Sequence, residues 1–371
     1  MRLGTIAETP LEWLALRSGR IPTPLVDTHL AFAWARTIMV ATRLGVFEAL
    51  ARSSGDAAFV AAACETAPEP TRRLLDALTG MGYLLPAGEH AYRLSRTARR
   101  WLTRASPDEV VDKVLFSFDE WAFVEHYERF VATGEPFGMH ERLAQGGAGD
   151  GAAAVPGAGA TARGGDGWGR YQRGLHALSK VSVAEVGRRT PVPRGATALL
   201  DVAGAHGGFS AAIVRRHPGL RATVLDLEDA VSASAPLLAS HTLGDRLRHR
   251  VGDVFAVELG EEAWDVVFAS QFTHHVGDAA NRELARRVAR ALRPGGVYVI
   301  QDLVRPATPR EARRARLGAL LDLYFAATSG AGTATLDTLR SWQSDAGLSP
   351  RPPIWMRTLP GMIQQVGLKT R

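Results

Sequence analysis

Four short polar runs carry the residues most able to do chemistry, and each follows an apolar stretch. The first is Asp201-Val202-Ala203-Gly204-Ala205-His206-Gly207-Gly208, after which residues 209–216 read as helix. Small residues let a backbone turn sharply and approach a ligand closely, and the following helix offers free amide groups. The second run ends in Asp226, where a carboxylate can accept both hydroxyls of a ribose. The third, Val251-Gly252-Asp253-Val254-Phe255, adds a further acidic residue, suited to an adenine amino group rather than to a pyrophosphate. The fourth runs from Ser270 through the pair His274-His275 to Asp278. A turn at Leu292-Arg293-Pro294-Gly295-Gly296 then leads through one more apolar stretch to Asp302.

The elements that must position these runs follow a strand, helix, strand rhythm after Pro191. Residues 197–202, 222–225, 265–269 and 297–300 are apolar strand candidates, with helical stretches between them, notably 279–292. Apolar strands alternating with helices imply an α/β fold: a Rossmann-like, doubly wound parallel sheet covered on both faces. Such sheets place ligands at the carboxyl ends of their strands, which is where the polar runs fall. Read alone, the first loop also fits a degraded Ala203-x-Ala205-x-x-Gly208 dinucleotide fingerprint. Asp226 serves a nicotinamide dinucleotide or S-adenosylmethionine equally, and Asp253 is the better discriminator between them.

Upstream, helical periodicity runs over residues 28–50 and again over 57–64 and 69–81. Gly82 stops the last of these, and two short strands, 83–85 and 91–94, flank a turn at Ala87-Gly88-Glu89. This is a winged-helix plan in a mostly helical domain over residues 1–107. Winged helices often bind DNA, but here Arg72 and Arg73 share their helix with a wide apolar face, and a long apolar helix precedes it. That surface suits dimerisation better. A connecting region, 108–190, is helical to about residue 140 and carries Phe116, Phe118, Trp121, Phe123, Tyr127 and Phe130, which read first as core and interface packing. Within it, residues 145–169 are rich in Gly and Ala with almost no large apolar side chain, so a flexible loop is expected. The third domain spans 191–371.

Bulk composition narrows the classes. A chain of 371 residues is long enough for two or three domains. The net charge of +6 hints at nucleic acid, yet only three of 44 basic residues are lysine (Lys113, Lys180, Lys369), and the arginines are scattered among acids. That bias looks like codon composition, and no nucleic-acid partner is expected. Cys64 is the single cysteine, which excludes an intrachain disulfide framework and a cysteine-based metal site. With no signal-like start and no segment of roughly 20 uninterrupted apolar residues, a cytoplasmic location and no membrane contact are expected.

The order of these signals resembles the small-molecule O-methyltransferase family, whose S-adenosylmethionine-binding domain follows an N-terminal winged-helix dimerisation domain. The resemblance covers residues 25–370, less the Gly-rich insert. The family's Asp-x-Gly-Gly-Gly-x-Gly loop corresponds to Asp201 through Gly207, with Ala203 and Ala205 where glycine is usual. Alanine keeps the backbone contact provided φ stays negative. The resemblance implies that Asp201, Ala203, Gly204 and Gly207 approach the cofactor, that Asp226 holds its ribose, that Asp253 and Val254 hold its adenine, and that Ser270 touches it. Tyr171-x-x-x-Leu175-x-x-x-Ser179 is similar to a family helix bearing an aromatic residue, a methionine and a serine, which adds Ser179 and replaces the methionine by leucine. It also places the family's catalytic histidine on His274, with Asp278 as the matching acid in the next helix. A neutral imidazole would then take the proton of a phenol, whose pKa is near 10, as the oxygen attacks the sulfonium methyl, without a metal. The family's supporting glutamate falls in the region of Thr335-Leu336-Asp337, where leucine stands, so Asp278 or His275 is left to orient the base. The implied acceptor is an aromatic or polyketide-like secondary metabolite, as in antibiotic biosynthesis, and the implied assembly a homodimer through the N-terminal domain. C- or N-methylation on the same scaffold, a ligand-responsive DNA-binding regulator and a nicotinamide oxidoreductase are the competing classes. Residues 317–325 are a candidate acceptor-lining helix.

Overall fold

The computed structural model describes residues 6–145 and 166–370, which form two compact units. In the first, residues 6–118, the periodic stretch expected as one helix over 28–50 is broken. A π-helical turn, Val26–Leu30, leads into the helix Ala31–Arg43, and Gly45, at φ +81°, starts a new helix, Val46–Arg52. The two helical segments meet at 57°, because a left-handed residue cannot continue an α-helix and glycine adopts that conformation without steric cost. Strand β1 (Gly55–Asp56) precedes the helix Ala57–Cys64, whose N-terminus is capped by Asp56 accepting from the Phe59 N–H at 2.8 Å. The helix Pro68–Gly80 comes next, then β2 (Leu84–Pro86) and β3 (Ala91–Leu94), in a sheet of order β1-β3-β2. This is the expected winged-helix plan. Its core is Phe47, Leu50, Val60, Leu75, Leu78, Leu84 and Leu94, all buried. On the outer face of Pro68–Gly80, Arg72 pairs with Glu69 and Asp76, and Arg73 with Glu69, so the helix satisfies its own cations.

The second unit comprises residues 119–145 and 166–370. The connecting region expected over 108–190 is therefore shared: the helix Val111–Glu125 crosses from one unit into the other, and the helices after it belong with the sheet. Strands β4 (Ala198–Val202), β5 (Arg221–Asp226), β6 (Leu247–Val251), β7 (Trp264–Ser270) and β8 (Leu292–Leu303) pair in parallel. Three more, β9 (Ser349–Pro350), β10 (Ile354–Trp355) and β11 (Met362–Leu368), complete the sheet. The order is β10-β11-β8-β7-β4-β5-β6, with β11 antiparallel to β8 and β9 paired to β11. Side chains alternate between two cores. Leu199, Val266, Phe268, Val297 and Val299 pack on one face; Leu200, Val267, Ala269, Tyr298 and Ile300 pack on the other. Both faces are apolar because helices cover both, the condition under which parallel strands read as unbroken apolar runs.

The Gly/Ala-rich stretch expected as a loop over 145–169 is only partly visible, since residues 146–165 lie outside the described residues. Its last four residues are not loop. Asp166 accepts from the Gly169 N–H at 3.0 Å and caps the helix Gly167–Ser179, which carries Trp168, Tyr171 and Ser179.

Candidate active site

At the end of β4 the chain enters the loop Asp201–Gly207. Here the expectation of negative φ at the two alanines fails: Ala203 has φ +53° and Ala205 φ +41°, both left-handed. Side chains make that conformation unfavourable because Cβ crowds the following carbonyl, which gives glycine at these positions a physical reason. Gly204 admits no substitution, since a Cβ there would lie 2.3–2.6 Å from the Asp201 carboxyl group. Gly207, at φ +67°, sets the N-terminus of the helix Gly208–Arg216.

The Asp201 carboxylate is buried and accepts from Ser210 Oγ at 2.6 Å through Oδ2, while Oδ1 finds no donor among the described residues. Burial pushes this carboxyl up to about 7, against the Ser210 bond and with help from the nearby Asp226 charge. Asp226 accepts the Ala205 N–H at 2.9 Å and the Leu227 N–H at 2.8 Å, and burial carries it to about 6 despite those bonds. Asp253 is exposed and accepts from the Phe255 N–H at 2.9 Å, next to buried Val254. The Phe255 and Phe272 rings stand 6.4 Å apart there, an aromatic pair that spacing alone did not disclose. Ser270 ends β7 and accepts from Gln301 Nε2 at 2.9 Å, its register partner on β8. Ser179, at the end of its helix, would lie 3.3 Å from a Cβ on Gly208 and so borders the loop. An orphaned carboxylate oxygen beside a tight loop, with a second carboxylate at the next strand end, fits a ligand having an ammonium and a ribose diol.

His274 lies in the 3-10 turn Thr273–His275, separated by two residues from the end of β7. Its Nδ1 donates to Asp302 Oδ1 at 2.8 Å; both side chains are 2 % exposed. Asp302, on β8, also accepts from Thr273 Oγ1 at 2.7 Å and from the Leu303 N–H at 2.8 Å, so its carboxylate is held from three sides. The turn is fixed from behind by Asn281 Nδ2, which donates to the Thr273 and Val276 carbonyls, and by Ser329 Oγ, which donates to the His274 carbonyl. Phe325 stacks on the imidazole at 3.7 Å between centroids. With Nδ1 engaged, Nε2 is the nitrogen left for a substrate, and a carboxylate partner keeps it unprotonated in the neutral ring.

The acid expected to support His274 is elsewhere. Asp278 is exposed, accepts from Trp342 Nε1 at 2.7 Å and pairs with Arg282, which leaves it a helix-terminal anchor. Leu336 and Asp337 do not supply the missing carboxylate either, for Asp337 is 91 % exposed at the start of its helix. Asp302 was visible as an acid ending a strand; the signal that could have found its role is register, since Ser270 sits opposite Gln301 and His274 comes four residues later. His275 does not cap the next helix, whose N-cap, Gly277, has no side-chain bond. Its ring lies 4.3 Å from His274 and 4.7 Å from His140, and His140 stacks on Trp168 at 5.8 Å with the rings 4° from parallel. Burial holds His275 well below the usual imidazole range and lowers His140, so this aromatic wall is uncharged at neutral pH.

Comparison with known proteins identifies the family and the fold. Residues 157–347 match the model of the O-methyltransferase domain, and residues 26–104 that of the O-methyltransferase dimerisation domain. The chain is 29 % identical over 339 residues to the tetracenomycin polyketide synthesis 8-O-methyl transferase of Streptomyces glaucescens, covering 89 % of this chain and 92 % of that one. It is 24 % identical to the O-demethylpuromycin O-methyltransferase of Streptomyces alboniger, over 87 % of this chain and 82 % of the other. Among solved structures, human N-acetylserotonin methyltransferase in complex with S-adenosylmethionine superposes with a TM-score of 0.78 at 19 % identity, covering 99 % of this chain and 100 % of that one, a likeness of fold. The mitomycin 7-O-methyltransferase does so at 0.73 and 22 % identity, over 96 % and 99 %. The chain belongs to the O-methyltransferase family and is an S-adenosylmethionine-dependent methyltransferase.

Proposed function

We propose that this enzyme methylates a phenolic hydroxyl of an aromatic, polyketide-like metabolite, with His274 as general base and Asp302 as the residue that orients it. The buried Nδ1 to Oδ1 bond of 2.8 Å carries the reading, because it fixes the tautomer that a base needs. Bound S-adenosylmethionine supplies an electrophilic methyl on a positively charged sulfur. Asp201 Oδ1 accepts the ammonium of the methionine half, with Ala203, Gly204 and Gly207 letting the loop backbone come close and Ser179 bordering it. Asp226 accepts the ribose hydroxyls, Asp253 and the Val254 backbone hold the adenine, and Ser270 sits beside them. His274 Nε2 takes the acceptor's proton as its oxygen attacks, and Asp302 balances the imidazolium that forms. Phe325, His275, His140 and Trp168 exclude water from the approach, which favours a step in which opposite charges cancel. The relatives whose names specify polyketide and naphthoate acceptors support the acceptor class.

In the N-terminal unit, Trp13, Leu25, Leu30, Phe32 and Trp34 are each at least half exposed, an apolar surface that a second copy covers in a homodimer. The test of the central reading has two parts. Calorimetric titration with S-adenosylhomocysteine should give a one-to-one isotherm that Asp226→Ala abolishes. Methyl transfer to a panel of naphthols should fall by about 10²–10⁴ in His274→Ala, the usual range for a lost general base. Retention of activity within tenfold would make His274 a wall of the pocket and leave proximity to drive transfer.

A further inference from the structure

The two left-handed alanines of the loop Asp201–Gly207 are held from outside, Ala203 by backbone and Ala205 by side chains. Ala203 is fixed by the sheet, its N–H donating to the Leu225 carbonyl at 2.8 Å. Ala205 lies beyond the strand, and its whole peptide environment is made by side chains. Its N–H donates to Asp226 at 2.9 Å, and its carbonyl accepts from His249 Nε2 at 2.7 Å and from Ser234 Oγ at 3.1 Å. The next carbonyl, that of His206, accepts from His241 Nε2 at 3.1 Å. His206 itself is turned inward, with Nδ1 accepting the Gly208 N–H at 3.1 Å, and its ring lies 5.3 Å from His176, which in turn lies 5.7 Å from His241. Imidazole donors thus meet two successive loop carbonyls, at the point where the chain must hold a conformation that alanine disfavours and glycine accepts.

We propose that His249 and His241 are positioning residues for S-adenosylmethionine, clamping the carbonyls of Ala205 and His206 so that a loop with alanine in place of glycine keeps the left-handed turn the cofactor needs. The proposal rests on the assignment of this loop to the cofactor. His249 acts through the loop and touches neither the methyl group nor the acceptor. Removing its donor leaves the buried Ala205 carbonyl only the longer bond from Ser234, whose hydroxyl also donates to the Ala230 carbonyl at 2.6 Å, and frees Ala205 to relax toward negative φ, which withdraws the loop from the ligand. Glycine at position 205 has no such preference, so it should make the clamp dispensable.

The test is the dissociation constant of S-adenosylhomocysteine, by calorimetry on the full-length enzyme, for His249→Phe, His249→Gln, Ala205→Gly and the double variant His249→Phe/Ala205→Gly, with Asp226→Ala as reference. His249→Phe should bind about tenfold more weakly, about 1.4 kcal/mol, with the KM for S-adenosylmethionine rising in step and both kcat and the acceptor KM unchanged. Gln presents an amide N–H at about the same reach as Nε2 and should stay within threefold of the parent. The double variant should return to within threefold of Ala205→Gly alone. Binding by His249→Phe within twofold of the parent would overturn the proposal, as would an equal loss in the Ala205→Gly background, which would make His249 a packing residue. Should His249→Phe not fold, His249→Asn, too short to reach the carbonyl, replaces it in both backgrounds with the same expected outcomes. Undiminished binding by Asp226→Ala would instead remove the cofactor assignment itself, whatever the histidine variants do.

Discussion

Replacing Asp302 by asparagine is the most direct probe of how His274 is prepared. The side chain keeps its size, and the buried site offers the amide two orientations. With the amide nitrogen toward His274, Nδ1 becomes the acceptor and the proton moves to Nε2, where it blocks base catalysis, but that nitrogen also meets the Leu303 N–H, which donates to Oδ1 in the native enzyme, so this orientation is the less favoured. With the nitrogen toward Thr273, the hydroxyl rotates to accept and the Nδ1–H bond survives, but the charge that balanced the imidazolium is gone. In the native enzyme His274 and Thr273 reach this carboxylate at 2.8 and 2.7 Å, both buried, and bonds to a charged acceptor are roughly twice as strong as neutral ones. Losing that advantage in the transition state, or misplacing the proton, is expected to cost about 3–4 kcal/mol, which is about 10²–10³ in kcat. Single-turnover formation of S-adenosylhomocysteine with a phenolic acceptor measures it, alongside a thermal melt and the Kd for S-adenosylhomocysteine, both expected near parent values. The double variant with His274→Ala should be no slower than His274→Ala alone, because the two residues act as a unit. Activity within tenfold of the parent in Asp302→Asn, with His274→Ala inactive, would show that Asp302 merely fills space.

Three further expectations come from the same geometry. The raised Asp201 and Asp226 carboxyls, at about 7 and about 6, keep protons in the folded protein that the unfolded chain has already lost, so these two groups remove stability as pH rises from 4 to 7, while His140, His206, His241, His249 and His275, held low mainly by burial, add it; the loss should therefore show as a difference between the parent and Asp201→Asn in urea melts over that range. Affinity for S-adenosylhomocysteine, which needs the ionised forms, should climb over the same interval, by about tenfold per pH unit for each titrating group below its own value; calorimetry from pH 4 to 7 checks this, and a flat profile would sink it. Ala203→Val places a β-branched side chain at φ +53° and should lower unfolding stability by about 2 kcal/mol with loss of cofactor binding, whereas Ala203→Gly should hold or slightly raise both in the same melts and titrations. Phe32→Glu with Trp34→Glu, on the exposed N-terminal surface, should give a monomer by light scattering; an intact dimer would place the interface elsewhere.

Much of the fold was legible because its signals are local. Strands β4, β5, β7 and β8 are apolar runs with a polar residue at or next to the carboxyl end, and periodicity finds them to within a few positions, apart from the earlier start of β8 at Leu292. The break at Gly45 was not, because one glycine in a helical pattern is also tolerated in an unbroken helix. Strand β11 escaped for the opposite reason. Its centre is Gln364-Gln365, whose buried amide N–H groups donate to Gln301, Gln343 and Thr190, a compensation that no local pattern reveals.

The site divides along the same line. The placement of Asp226, Asp253 and His274 at or just beyond strand ends could be read, because each follows an apolar run, and position along a parallel sheet already says which edge it faces. Asp302 could not be assigned, since an acid at the end of one strand and a histidine beyond the end of the next meet only through the register of β7 on β8. The loop is the sharper case. Alanine for glycine keeps the backbone contact only on condition of negative φ, and the sequence held no sign that both positions are left-handed. Nor could it show that His249 and His241, 44 and 35 residues from the carbonyls they meet, stand where that strain is borne. A substitution inside a motif is therefore best judged with the side chains that surround its backbone, and in this enzyme those include one histidine on strand β6 and another at the end of the helix that precedes it.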